Sequence, residues 1–373
     1  MNRCFLKHLA ILLCFATLLA GSGLCSGAKA EAAAPALYAG TKQQAKVGFS
    51  FSLPVYRDTS TGEALNTVRI GFDVIPADAN DTIHVRIDKV DTASSAQSEI
   101  IGDTVTVTDR SGFANGYVCD LSLTVDAFES AGDTFVLELY TLVQDTKCTF
   151  GTCTITVSPL AIGDTIMFGR YEQDAYAANG PEPVEWRVLD IQDDRILVIS
   201  QYVLDHVFYH PKNTATTWET CYVREWLNDQ FLKVAFSQEE LLRIVEVTVE
   251  PHKNPHFESK KADDLAKVPK LMGNATRDRV FLLDVVEAEK YFADNWDRCA
   301  YPTTYAKQQG VSFDEQLLFG NWMLRQPSQK PYSTTTACIN FFGQTNDNSV
   351  QINAKRTGLR PAMWILRMPP SAE

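Results

Sequence analysis

All six tryptophans of this 373-residue chain (Trp186, Trp218, Trp226, Trp296, Trp322 and Trp364) lie beyond Ser158-Pro159. Before that point the apolar residues alternate with polar ones. "KVGFSFSLPV" puts Val47, Phe49, Phe51, Leu53 and Val55 on one face, and "VRIGFDV", "IHVRI", "TVTVT", "CDLSLTV", "FVLELYTL" and "CTITV" repeat the habit. Alternation of period two suits a half-buried pleated strand, and a helix cannot present it to one core. The intervening "TSTGE", "PADAND", "RSGFANG" and "ESAGD" supply Gly, Asp and Ser for turns. About seven short strands at this spacing predict an all-β, immunoglobulin-like sandwich over residues 36–159. With no tryptophan and no Cys…Trp…Cys core, membership of the antibody class does not follow. Cys148 and Cys153 flank a predicted turn, "CTFGTC", and form the best candidate for a local disulfide. His84 sits in a strand. The acids from Asp78 to Asp81 lack a calcium-loop spacing and read as a solvated turn.

Past residue 159 the pattern becomes mixed. "EPVEWRVLDIQDDRILVISQYVLD" predicts two strands joined at Asp193-Asp194. In "TTWETCYVREWLNDQF", Trp218, Tyr222, Trp226 and Phe231 recur at helical intervals after Thr216 or Thr217 as cap. Glu219, Arg224, Glu225, Asn228 and Lys233 fall mostly on the opposite side. This predicts a helix packed on the core, with Arg224 or Asn228 tying loops. Ser237…Glu240 and Asp284…Glu287 each have the spacing of a capping box before a helix. "NWMLRQPS", "TACINFFG", "SVQIN" and "RPAMWIL" return to strand and loop. An α+β domain is expected over residues 160–369.

The segments "GDTIMFGRYEQD", "EPVEWRVLD", "TTWETCYVREWLNDQF", "AFSQEE", "VFLLDVVEAEKYF", "YPTTYAKQQG", "NWMLR" and "LRPAMWI" stand in an order that resembles a bacterial family, domain of unknown function 6273. The likeness spans residues 162–366. It implies a formylglycine-generating-enzyme-like or C-type-lectin-like fold with a loop-rich face, found mostly in exported proteins. "NWMLRQPS" departs from the family's usual doubled Trp and Ser-Pro after the arginine.

The first thirty residues carry Arg3 and Lys7, an apolar run from Leu9 to Ala20, and Ala28-Lys29-Ala30. This is the layout of a secretory signal peptide cleaved after Ala30, with lipidation at Cys25 the other reading. No transmembrane anchor is expected beyond it, and the product is expected to be secreted or associated with the cell surface. A net charge of −12 disfavours nucleic acid, which needs clustered Lys and Arg.

Three chemistries have candidate residues in the sequence. Copper-dependent cysteine oxidation needs two converging thiolates, and Cys299 and Cys338 are far apart in sequence. His206/His210 and His252/His256 have metal-ligand spacing, but Pro211, Pro251 and Pro255 break any helix that would align them. The acid pairs Glu182/Glu185, Glu239/Glu240 and Asp263/Asp264 say nothing about facing each other across a cleft. No catalytic residue, metal ligand or cofactor is therefore assigned. Exposed aromatics beside amides suit sugar or protein surfaces. The stretch from 320 to 353 offers Trp322, Arg325, Tyr332, Asn340, Phe341, Phe342, Gln344, Asn346, Asn348, Gln351 and Asn353. These are the expected ligand-binding residues of a noncatalytic recognition protein for an extracellular glycan or protein. A metal-dependent oxidase or hydrolase on the same fold and a structural envelope component stay open as alternatives. Oligomeric state is not legible.

Overall fold

The computed structural model describes residues 36–61, 65–93, 95–130, 132–174, 176–256, 272–327, 334–345 and 349–367. The thirty residues read as a signal peptide, together with Tyr332, Asn346 and Asn348, lie outside these.

Among the described residues the alternating half folds as ten strands rather than about seven. They are β1 (Leu37–Ala39), β2 (Lys42–Ala45), β3 (Ser50–Arg57), β4 (Thr67–Ile75), β5 (Thr82–Asp91), β6 (Ala96–Ile101), β7 (Thr104–Asp109), β8 (Tyr117–Glu129), β9 (Thr134–Val143) and β10 (Thr146–Val157). β1 and β2, of three and four residues, are too short to show a period, and β6 does not alternate apolar with polar residues. One sheet has the order β2-β10-β9-β4-β7-β6, with β2 and β10 parallel. β1, β3, β8 and β5 belong to the other. Between them lies a core of inward-facing residues, among them Leu53, Val55, Ile70, Val105, Leu121, Leu123, Leu137 and Ile155.

The expected turn at "CTFGTC" is instead part of β10, which carries a bulge between Thr149 and Gly151. Five residues of extended chain separate Cys148 from Cys153, about 15 Å at the rise of a strand. A disulfide tolerates Cα atoms no more than about 7 Å apart, so these two are not bridged to each other.

The second half contributes β11 (Thr165–Tyr171), β12 (Glu182–Gln192), β13 (Arg195–Ser200), β14 (Ile244–Val245), β15 (Val247–Val249), β16 (Thr276–Asp278), β17 (Val280–Phe281), β18 (Trp322–Pro327), β19 (Thr335–Ile339), β20 (Ser349–Gln351) and β21 (Ala362–Leu366). β12 and β13 meet at the expected turn, where Asp193 has a positive φ. The sheet that holds β3, β8 and β5 does not stop at the change in composition. It continues as β5-β8-β3-β11-β12-β13-β21-β14, through the single β3–β11 pairing of Ser50 with Met167. Arg243 fastens this seam. Its guanidinium donates to the carbonyls of Gly48 at 2.7 Å and Leu366 at 2.9 Å and lies over the rings of Phe49 and Phe168. Phe49, read as part of the sandwich face, packs in the second core.

The tryptophan-rich segment is helical, as expected, but not uniformly so. A 3-10 turn (Trp218–Thr220) leads into α1 (Tyr222–Trp226), a π-turn (Leu227–Phe231) and α2 (Leu232–Ala235). The wide turn buries Leu227 and Phe231 fully, while Tyr222 and Trp226 are half-buried. Asp278, buried, accepts from Trp218 Nε1 at 3.0 Å, Arg224 Nε at 2.7 Å and Thr276 Oγ1 at 2.6 Å. Asn228 donates to the carbonyl of Val280 and accepts from the N–H of Arg279, both at 2.8 Å. The segment therefore ties strands to the core, and both capping boxes form, opening α3 (Gln238–Arg243) and α4 (Val285–Tyr291). Two short helices follow, α5 (Asn295–Arg298) and α6 (Thr304–Gln308).

Candidate functional site

The expected binding stretch separates into an inner and an outer part. Trp322 is buried. Its indole N–H donates to the carbonyl of Arg298 at 3.1 Å, and the Arg360 guanidinium lies over its ring. Arg325 is also buried. Neither is exposed, where the sequence led one to expect exposed residues. The reason is long-range. β18 is covered on both faces, so that Trp322, Met323, Leu324, Arg325 and Gln326 are all buried.

Arg325 sits over the start of α4. Its guanidinium donates to Asp284 Oδ2 at 2.6 Å, to both Glu287 oxygens, and to the carbonyls of Leu282 and Glu250 at 2.9 and 3.2 Å. Asp284 and Glu287 meanwhile cap α4 for each other, and His252 Nδ1 lies 2.7 Å from Asp284 Oδ2. Burial raises the Asp284 carboxyl above its usual range although the Arg325 charge pulls it down. His252, Asp284 and Glu287 bring donor atoms within 4.8 Å of one another, a spacing that suits a cation. All four carboxylate oxygens already accept an N–H, however, so the guanidinium holds the place a metal would take. The cluster opens onto a shallow groove of about 420 Å³, lined in part by Arg195, Glu246, Glu250, Arg277 and Trp364. There Glu246 pairs with Arg277 at 2.6 Å, and Arg195 covers a face of Trp364.

The four histidines do not converge. His206 Nδ1 lies 3.0 Å from the carbonyl of Thr357, the His210 amide bonds to Ile352, and His256 Nε2 is 2.6 Å from Glu289. A second acid group, Glu172, Asp174 and Glu182, also comes within 4.8 Å. Asp174 accepts from the N–H of Tyr176 and from Asn179, and Glu182 from the N–H of Gln173, so the group shapes a turn.

Cys119, Cys153, Cys221 and Cys338 are buried free thiols. Burial raises all four, Cys153 to about 11 and Cys221 and Cys338 to about 12. Such thiols stay protonated at neutral pH and lack the thiolate that attacks or ligates. We expect iodoacetamide to leave these four unmodified in the native protein and to label them all in denaturant, as mass spectrometry would read.

The outer part is different. Phe342 is 48% exposed, Phe341 is half-buried, and Asn340 shapes the turn between them and Gln344. Asn340 Oδ1 accepts the N–H groups of Phe342 and Gln344 at 3.0 Å each, and its Nδ2 donates to Gln344 Oε1 at 2.8 Å. Gln351 is exposed on β20 and Asn353 is half-buried beyond it. The Phe342 turn leans on α5. Gly343 has φ 71°, and a Cβ there would overlap the backbone carbonyl of Asn295. Arg298 closes the contact, donating to the carbonyl of Gly343 at 2.8 Å and to Asn295 Oδ1. Cys299 Sγ donates to the carbonyls of Asn295 and Phe341.

This contact brings in a residue the sequence reading passed over. Trp296, on α5, is 60% exposed. Its segment, "VVEAEKYFADNW", keeps an amphipathic helical pattern in the sequence from Val285 to Trp296. That helix ends at Tyr291, and the chain restarts behind Asp294, whose side chain accepts the N–H of Asp297 at 2.9 Å. The visible signal was Asp294 three residues before Asp297, a cap in mid-pattern. Trp296 and Phe342 thus stand on two adjoining turns, both exposed, above a base locked by Arg298, Trp322 and Arg360.

Residues 193–366 match the profile of a family described as Domain of unknown function (DUF6273). No curated protein matches. Solved structures similar to the chain include a cohesin module from a Clostridium perfringens ATCC13124 family 33 glycoside hydrolase, at 11% identity and TM-score 0.26, covering 34% of this chain and 98% of that one. The third ScaC cohesin of Acetivibrio cellulolyticus gives 14% identity and TM-score 0.23, with 32% and 98% covered. The C-terminal domain of the Streptococcus agalactiae AgI/II polypeptide BspA gives 5% and 0.21, with 49% and 64% covered.

Proposed function

We propose that this chain is an exported, noncatalytic recognition protein, cut after Ala30, whose C-terminal domain (160–369) takes a C-type-lectin-like fold and binds an extracellular glycan. The sandwich (36–159) carries that domain away from its point of attachment. One observation supports the binding reading above the others: Trp296 and Phe342, large and apolar, stand exposed on adjoining turns whose backbones are fixed to each other and to the core. Exposed apolar rings are hydrated at a free-energy cost that a ligand covering them relieves, and a rigid pair suits the flat apolar faces of sugar rings. The buried Arg325 and Asp284 contact each other and Glu287, and the four thiols named above are buried and protonated. Among the described residues no helix is long and apolar enough to cross a membrane.

The test is a glycan array probed with the full chain and with Trp296→Ala/Phe342→Ala. Selective binding by the native protein, weakened at least about tenfold in the double variant at unchanged thermal stability, is the expected result. Binding that survives both substitutions would sink the assignment of this face. A protein ligand lost through the same substitutions would keep the face and replace the ligand class.

A further inference from the structure

One strand edge of the sandwich, β6, takes part in a ladder on one side only among the described residues, and its Ser98 Oγ touches the carbonyl of Val90 on β5 at 3.5 Å. Among the described residues β6 closes its sheet and pairs only with β7, through six residue pairs without a register shift. Gln97 through Ile101 are exposed along it, Ile100 at 41% and Ile101 at 61%. Half the N–H and C=O groups of such a strand point outward, which makes it a template for another strand. The facing edge, β5, is protected in two ways. It carries register shifts at His84/Val85 and Ile87/Lys89, and it sets Arg86, Asp88, Lys89 and Asp91 along its length. β2, the far edge, is four residues long and begins with Lys42. β6 has no bulge, no proline and no lysine.

We propose that β6 pairs antiparallel with β6 of a second copy of this chain, across a two-fold axis at Ser98. The sequence of the strand fits itself in this register. Ala96, Ser98 and Ile100 lie opposite Asp109, Val107 and Val105 of β7 and so share the core-facing side, while Gln97 and Glu99 share the outer side. Rotation about an axis through Ser98 puts Gln97 against the copy's Glu99, and Ala96 against the copy's Ile100, each twice. Amide meets carboxylate and methyl meets Ile100, which the sandwich by itself leaves partly open. An axis through Glu99 would set two carboxylates against each other, which disfavours that register. The pairing adds about four to six backbone hydrogen bonds. A contact of this size gives a dimer that forms only as concentration rises.

The test is sedimentation velocity on the full chain over a concentration series, with Gln97→Glu and Gln97→Lys. Both changes sit on the solvent face of an edge strand and leave the monomer intact. Gln97→Glu places like charges opposite each other twice and is expected to raise the dimer dissociation constant about tenfold, less at high salt. Gln97→Lys, opposite Glu99, is expected to lower it. A chain that stays monomeric to about 0.5 mM overturns the proposal. So does a dimer with the same constant in both variants, which would place the interface elsewhere.

Discussion

Replacing Arg325 by methionine is expected to lower the stability of the C-terminal half by about 3–5 kcal/mol at neutral pH. Methionine keeps most of the stem's packing, so the loss isolates the charge. Two carboxylates, one of them fully buried, would keep their place without the guanidinium that now contacts both. The start of α4 and the carbonyls of Leu282 and Glu250 would lose donors with it. A pH series separates this from simple loss of packing. Burial already raises Asp284 with the arginine present. Without it the folded-state value rises further above the unfolded carboxylate value of about 3.9. A raised acid binds its proton more tightly in the folded state, so its stabilisation is complete below the unfolded value and is lost as pH climbs through the folded one. The variant's deficit should therefore narrow as pH falls from neutrality toward about 4. Urea unfolding followed by tryptophan fluorescence reports on this half alone, since all six tryptophans lie there. A deficit under about 1 kcal/mol, or one unchanged with pH, would mean that the buried cluster relaxes into solvent.

Gly343→Ala is expected to cost about 2–4 kcal/mol, combining a left-handed backbone with an overfilled contact. The backbone carbonyl of Asn295 stands where the methyl would go, and a carbonyl held within a helix cannot rotate aside as a side chain would. The two turns must part, so Phe342 and Trp296 lose their fixed relation. Glycan binding should fall more than the melting temperature suggests. Limited proteolysis should show new cleavage near residues 295 and 343. Full binding at native stability in this variant would show that the two rings need no common base.

Much of the fold was legible because it is written locally. Phe51, Leu53 and Val55 gave β3 by alternation alone, and Ser237 with Glu240 gave the start of α3. The π-turn at Leu227–Phe231 was not legible, since a single extra residue per turn leaves the apolar spacing nearly unchanged. The proposed binding face was harder still. Trp322 and Phe342 look alike on paper, being aromatic residues in loop-rich sequence, and one is buried while the other stands in solvent. What separates them is whether another segment lies above. Arg325 became a core residue because Asp284 and Glu287, some forty positions earlier, come to it. Trp296 was hidden by a helical period that continued on paper across a break made by Asp294.

The parallel pairing of β2 with β10 bears on how the sandwich would carry mechanical tension. These strands run side by side in the same direction, joined from Lys42 with Thr154 to Ala45 with Val157. A pull that draws residue 41 one way and residue 158 the other slides the two strands past each other along their length. Their hydrogen bonds then share the force together and must break as a set. In an antiparallel pair pulled from one end, they would open one after another like a zip. For a protein held at one end while its other end grips a surface, that geometry sets a higher force at which the sandwich gives way.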